Sequence, residues 1–306
     1  YTYLKWVYKS ARKDKCKKLL FLSRDGYLLH KDYVFFMELS ETYDYPEPLY
    51  VASSRRLTYV AAISEEEDFN KLMADMFSGT FGEWLMIRFG ISAHREDDCC
   101  NRRIELPRDM NLIRQWMKPY QREIENEIRN EKAEYRAYLN SLKINSSYGI
   151  VDTGYTGKIV SCLSKLLNNN QVNAYYWYGD LRKENPNNGR IKACFQHEWD
   201  LEASCCSLRK YVFTVETVFT APHGMVICRK NSKFQYGEAT ANFHVNQLIN
   251  EGIKQFLEQA VCRVKDDDED HAFYADKLFG FLIKRTELDE TLQGVLRFSD
   301  LWNGIV

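Results

Sequence analysis

The chain has 306 residues, enough for one large domain or two ordinary ones with a sizeable core. Its formal net charge of −1 gives no footing for nucleic acid or an anionic membrane surface as the partner. Nine cysteines occur without any C-x-x-C spacing, so free thiols in a reducing cytosol are expected rather than a zinc site. There is no signal peptide and no run of about 18 apolar residues that would span a bilayer. The opening "YTYLKWVYKS" enters in mid-helix without an initiator Met and reads as a piece of a longer protein.

In chain order, Tyr3, Trp6, Val7 and Ser10 have helical spacing, and the basic run Arg12 to Lys18 suits a helix exit. The apolar run Leu19–Leu22 predicts a buried strand, followed by a polar turn and a helix from about Tyr27 to Thr42. Leu49–Ser53 predicts a second strand ending in "SSRR". Residues 57–145 read as mostly helical, with a charged loop at "HREDDCCNRRIELPRD" and the strongest helical periodicity from Ile113 to Leu142.

The pattern changes at Tyr148: "YGIVDTGYTGKIVSCLSKLL" reads as strand, glycine-bearing turn and helix. A strand over Asn173–Leu181 follows, ending in Gly179-Asp180. Lys192 to Arg229 mixes strand-like and helical pieces, with a Pro-His-Gly turn before a β-rich run. A helix over about Ala241–Val261, a solvated "KDDDEDH" loop and terminal helices through "AFYADKLFGFLIKR" and "TLQGVLRFSDLW" complete the chain.

Strands alternating with helices predict an α/β fold. Its mainly parallel sheet would have surrounding helices, and a large helical insert lobe (57–145) between the second and third strands. The whole of 1–306 is expected to serve one activity. Open α/β sheets bind ligands at the carboxyl ends of their strands. That rule gathers Arg24-Asp25, Ser54-Arg55-Arg56, Asp152 to Lys158 and Asp180 at one site.

Three turns carry the chemistry. In "VDTGYTGKI", Gly154 and Gly157 let the backbone approach a ligand, and the amides at the helix start suit a phosphate. Thr153 and Thr156 add hydroxyls, Tyr155 lies between them, Lys158 adds charge, and Asp152 at the strand tip suits ribose hydroxyls, a metal or a proton. The plainer alternative is a strand–helix turn with a capping threonine, and the spacing is not that of a P-loop. In "SSRR", Ser54 leads two arginines that can present guanidinium forks to a diphosphate, or simply bridge to surface acids.

The third turn is Ser23-Arg24-Asp25-Gly26. It evokes the Asp-x-Asp-Gly-Thr signature of haloacid-dehalogenase phosphatases, with Asp25 as the acid/base. Ser23, however, stands where the nucleophilic carboxylate belongs. A helix-capping Asp-Gly turn is the plain alternative. Of the six histidines only His223, in "APHG", is retained as a candidate. The 20 Tyr, 17 Phe and 6 Trp suit a core plus stacking surfaces for sugar.

The succession "LFLSRDGYLL", "LYVASSRRL", a long helical insert, "GIVDTGYTGKIVSCLSKLL" and "TVFTAPHG" resembles one bacterial family. This is the glycan phosphoribosyltransferase domain of dual-domain ribofuranosyltransferases of surface-polysaccharide biosynthesis (O-antigen or capsule). The resemblance covers roughly Tyr3 to Val261. It implies transfer of 5-phosphoribosyl from phosphoribosyl diphosphate (PRPP) to a sugar hydroxyl of a lipid-linked glycan, releasing diphosphate, with a phosphatase domain or protein acting next. The implied location is cytoplasmic, with a peripheral position at the inner membrane face. Magnesium would come with the diphosphate, and no protein-bound metal is implied. Asp25 and Asp152 are the expected catalytic pair. Arg24, Gly26, Ser54, Arg55, Arg56 and the turn from Thr153 to Lys158 would hold PRPP, and His223 would lie on the acceptor side. A sugar phosphatase of the haloacid-dehalogenase type and a non-catalytic carbohydrate-binding module are the alternatives.

Overall fold

A computed structural model describes residues 1–94, 98–144, 147–154, 157–169, 172–179, 191–195, 212–264, 274–275 and 277–278. Tyr155, Thr156, Asp180 and most of the two terminal helices lie outside the described residues.

The chain begins with α1 (Thr2–Lys13), β1 (Lys18–Leu22), α2 (Gly26–Leu39) and β2 (Glu47–Val51). The next part is α3 (Arg55–Ala62), α4 (Glu66–Ala74), β3 (Phe77–Thr80), α5 (Phe81–Phe89), β4 (Arg103–Leu106), α6 (Met110–Trp116) and α7 (Gln121–Ser141). It returns through β5 (Tyr148–Asp152), α8 (Lys158–Leu166), β6 (Asn173–Tyr176) and β7 (Ile191–Ala193). Then come α9 (Val212–Phe219), β8 (Val226–Lys230), β9 (Lys233–Tyr236) and α10 (Phe243–Arg263).

The expected α/β architecture is present: a parallel sheet in the order β2-β1-β5-β6-β7, surrounded by helices. Beyond Lys18, strand β1 is apolar because parallel strands in the middle of a sheet are covered on both faces. Its side chains alternate between the faces. Leu19 and Phe21 join Val151 and Tyr175 in a core with α1, α2 and α10. Leu20 and Leu22 join Val51, Ile150, Ala174 and Tyr176 under α3, α7 and α8. Pro48 is tolerated because β2 is an edge strand.

The insert between β2 and β5 has its own core, with Trp84, Phe81, Phe89 and Tyr120 fully buried. It is not wholly helical. Arg103–Leu106 lies in what reads as a charged loop, yet pairs antiparallel with β3. The alternation of Ile104 and Leu106 inward with charged residues outward makes it a strand. Nor is Ile113–Leu142 one helix: Pro119 sits in a 3-10 turn, Lys118–Tyr120, between α6 and α7, since proline cannot continue the helical hydrogen-bond ladder. The second strand ends at Val51 rather than Ser53, which frees the serines to start α3.

Helix α7 clamps the end of β2. The Tyr135 hydroxyl donates to the Ala52 carbonyl, and the Ala52 N–H donates to the Tyr138 hydroxyl, both at 3.0 Å. No helix among the described residues is long and apolar enough to cross a membrane, and the described cysteines are free thiols.

Candidate active site

In this strand order the connection reverses direction between β1 and β5, and such switch points open a crevice at the carboxyl ends of the strands. Asp25 follows β1 and Asp152 ends β5, so the two acids flank that crevice. Gly26 is required for this geometry: a Cβ there would lie 2.8 Å from the backbone carbon of Phe21. Only glycine lets α2 start so close to β1.

The crevice floor is stitched. Ser23 Oγ donates to the Ser53 carbonyl at 2.7 Å and accepts from the Ser53 N–H at 2.9 Å, tying the ends of β1 and β2 together. Above it, Thr153 Oγ1 donates to Asp25 Oδ2 at 2.8 Å, linking the β5 turn to the β1 turn. Asp152 accepts from the backbone N–H groups of Thr153 and Gly154.

Burial dominates the electrostatics. The Asp152 carboxyl is pushed up to about 7 by desolvation and then by the Asp25 charge, offset by the two amides and Arg55. Asp25 is also raised, chiefly by burial, against the favourable pull of Arg24 and of the Thr153 hydroxyl. A third acid, Glu216 on α9, is pushed up to about 9 by burial and then by Asp25 and Asp152, with Arg55 and Arg24 opposing. Three carboxyls and two guanidinium groups therefore share one electrostatic site, in which burial and the neighbouring acids favour the protonated form of Glu216. The sequence reading missed Glu216. Its signal was a single charged residue in the otherwise uncharged helix "VFTVETVF".

No family model matches this chain, and no curated protein does.

The remaining expected residues divide. Arg55 belongs to the cluster through its interaction with Asp152 and Glu216. Arg56 does not: its guanidinium is buried, paired with Glu131 of α7 and donating to the Ile227 carbonyl at 2.5 Å, so it holds α3 to α7 and β8. Ser54 is committed as well. Its Oγ caps α3 by accepting from the Leu57 N–H at 3.0 Å and donates to the Val226 carbonyl at 2.6 Å. Both side chains turn to these partners for one reason: the helix begins immediately after Ser54, and successive positions on a helix point in different directions.

Gly157 precedes α8 with φ of 73°, a conformation suited to glycine, and among the described residues no side chain caps the helix start. Lys158 forms an ion pair with Asp75, which draws its ammonium toward α4. His223 accepts from or donates to two groups whose chemistry fixes its tautomer. Nδ1 lies 2.8 Å from the Gly224 carbonyl, which only accepts, so Nδ1 carries the proton. Nε2 then accepts from the Tyr50 hydroxyl at 2.9 Å. Among the described residues, no group of three or more His, Cys, Asp or Glu is placed to hold a metal ion.

Proposed function

We propose that the chain transfers 5-phosphoribosyl from PRPP to a sugar hydroxyl of a bacterial surface glycan. The observation that carries this reading is the meeting of Asp25, Asp152 and Glu216 with Arg24 and Arg55 at the sheet's switch point. The motif order that resembles the glycan phosphoribosyltransferases supplies the substrate class.

The bond changes are simple. The acceptor oxygen forms a bond to ribose C1 while the C1–oxygen bond to diphosphate breaks, its electron pair leaving with the diphosphate. Arg24 and Arg55 neutralise the charge that develops there. The backbone amides at the start of α8, which follows Gly157, suit the 5-phosphate. Asp152, at the tip of β5, faces the ribose and stabilises positive charge at C1. Asp25 takes the acceptor proton: its raised pKa makes it a better base than a solvated carboxylate. Glu216, held toward its protonated form by burial and the two acids, adds a hydrogen-bond donor to the site. Magnesium belongs to the substrate in this scheme, travelling on the diphosphate. A reaction drawing on PRPP and a lipid-linked glycan would operate at the cytoplasmic face of the inner membrane. A phosphatase acting next would remove the 5-phosphate.

The phosphatase alternative needs a nucleophilic carboxylate where Ser23 stands, and both hydrogen-bonding roles of that hydroxyl are occupied by Ser53. Incubation with PRPP, magnesium and a panel of oligosaccharide acceptors tests the proposal by mass spectrometry and diphosphate release. The expected product is heavier by one phosphoribosyl unit, and Asp25→Asn lowers its rate by about 100-fold or more. Absence of PRPP binding by the folded protein, or transfer only from a nucleotide sugar, would refute it.

A further inference from the structure

Beside the acids lies a run of aromatic rings that the transfer chemistry leaves unused. Tyr236 lies 4.6 Å from His223, with the ring planes tilted by 46°. His223 lies 6.0 Å from Tyr50 at 47°. Tyr27 meets Tyr50 at 5.4 Å and 72°, and Phe243 at 6.1 Å and 64°. The row draws on α2, β2, β9, the turn before β8 and the start of α10. Residues from such distant parts of the chain meet here next to Asp25, whose charge acts on Tyr50.

The rings are not simply core. Tyr236 is 43% exposed, and Tyr27, Tyr50, His223 and Phe243 are half-buried. Polar atoms border them: the Tyr50 hydroxyl, held by His223, and the Lys31 ammonium, which donates to the Tyr27 hydroxyl at 2.9 Å and sits 4.2 Å from that ring. The tilts among neighbours make a faceted wall rather than a slot between parallel rings. A flat base needs such a slot for stacking on both sides. A pyranose does not, because one C–H face packs on one ring while its rim hydroxyls reach polar atoms at the neighbours' edges.

From this arrangement we infer that the wall formed by Tyr27, Tyr50, His223, Tyr236 and Phe243 is the subsite for the acceptor sugar, with Tyr236 as its exposed platform. The inference rests on the transferase reading for the identity of the reaction, but its geometry is independent of the donor. It places the acceptor on the Asp25 side of the crevice and leaves the Asp152 side to PRPP.

Ligand-observed saturation-transfer NMR tests it, using the methyl glycosides of galactose, rhamnose and N-acetylglucosamine as probes. PRPP binding is followed by calorimetry on the same samples. The wild-type protein is expected to saturate the ring C–H protons of at least one glycoside at millimolar concentration, with Tyr236→Phe unchanged and Tyr236→Ala at least about tenfold weaker. PRPP affinity should be the same in all three proteins. If Tyr236→Ala loses its cooperative melt, Tyr236→Leu, which keeps bulk without a ring, takes its place. No saturation of any probe, or equal saturation when the ring is removed, overturns the subsite even where PRPP binds. Ring-dependent sugar binding without PRPP binding upholds the subsite and overturns the donor assignment instead.

Discussion

Asp152→Asn is expected to stabilise the folded chain at alkaline pH while abolishing transfer. In the folded state the Asp152 carboxyl sits at about 7 against an ordinary value of 3.8. A folded value above the unfolded one means that the stability tied to this group is fully present below pH 3.8. That stability is lost as pH rises through about 7. A displacement of about three units corresponds to about 4 kcal/mol at 1.36 kcal/mol per unit. Partial solvent contact and sharing of the repulsion with Asp25 reduce this to about 2 kcal/mol. Asparagine removes the charge yet keeps an oxygen to accept the Thr153 and Gly154 amides. Wild type and variant should therefore melt together near pH 4 and diverge as pH rises. At an unfolding entropy of about 2.1 cal/mol/K per residue, 2 kcal/mol shifts the midpoint by about 3 °C in a chain of this length. Thermal melts at one-unit pH steps from 4 to 8, followed by far-ultraviolet circular dichroism, measure the divergence. Parallel curves, or a variant less stable at pH 8, would refute the account of Asp152 as a desolvated acid repelled by Asp25.

Two further outcomes follow from the same arrangement. The pH profile of kcat/KM for transfer should be bell-shaped. Its rising limb should be displaced from the ordinary carboxylate range toward 7, as the Asp25–Asp152 pair ionises, and its falling limb should lie near 9, as Glu216 loses its proton. Glu216→Gln should remove the falling limb and keep the rising one, which initial-rate measurements across pH 5–10 would decide. Arg56→Ala should cost about 3–5 kcal/mol by leaving Glu131 buried without its partner. Arg55→Ala should instead weaken PRPP binding by about tenfold or more. Urea denaturation and calorimetry on the two variants separate these roles, and a matching loss of PRPP affinity in folded Arg56→Ala would contradict the assignment.

The parts of the fold that were legible are those where local pattern and burial agree. Strands β1 and β5 are short and largely apolar because a central parallel strand is covered on both faces, and the aspartates come where that pattern stops, Asp152 as the last residue of β5 and Asp25 in the turn after β1. The errors arose where a distant partner decides. Arg55 and Arg56 look equivalent in "SSRR", but Glu131, 75 residues away, captures one of them in the interior. The strand Arg103–Leu106 is hidden by its charged outer face and is defined by pairing with β3. Glu216 is 191 positions from Asp25 in the chain numbering, so no local spacing could have joined them. The aromatic wall has the same cause: Tyr27, Tyr50 and Tyr236 resemble core residues individually, and only their meeting beside Asp25 gives them a surface.

Ser23 links these observations. In a phosphatase of the haloacid-dehalogenase type a carboxylate at this position would form the covalent phosphoryl intermediate. Here the hydroxyl must both donate to and accept from the Ser53 backbone, and a carboxylate at neutral pH can only accept. Beside it, the Tyr50 hydroxyl donates to His223 and so anchors the aromatic row. The Ser23 side chain thus ties the end of β1 to β2, while Asp25 two residues later is tied by Thr153 to β5. The turn therefore carries a buried acid linked to the end of β5 where the phosphatase signature would place its nucleophile beside β2, and that arrangement is what the proposed transfer draws on.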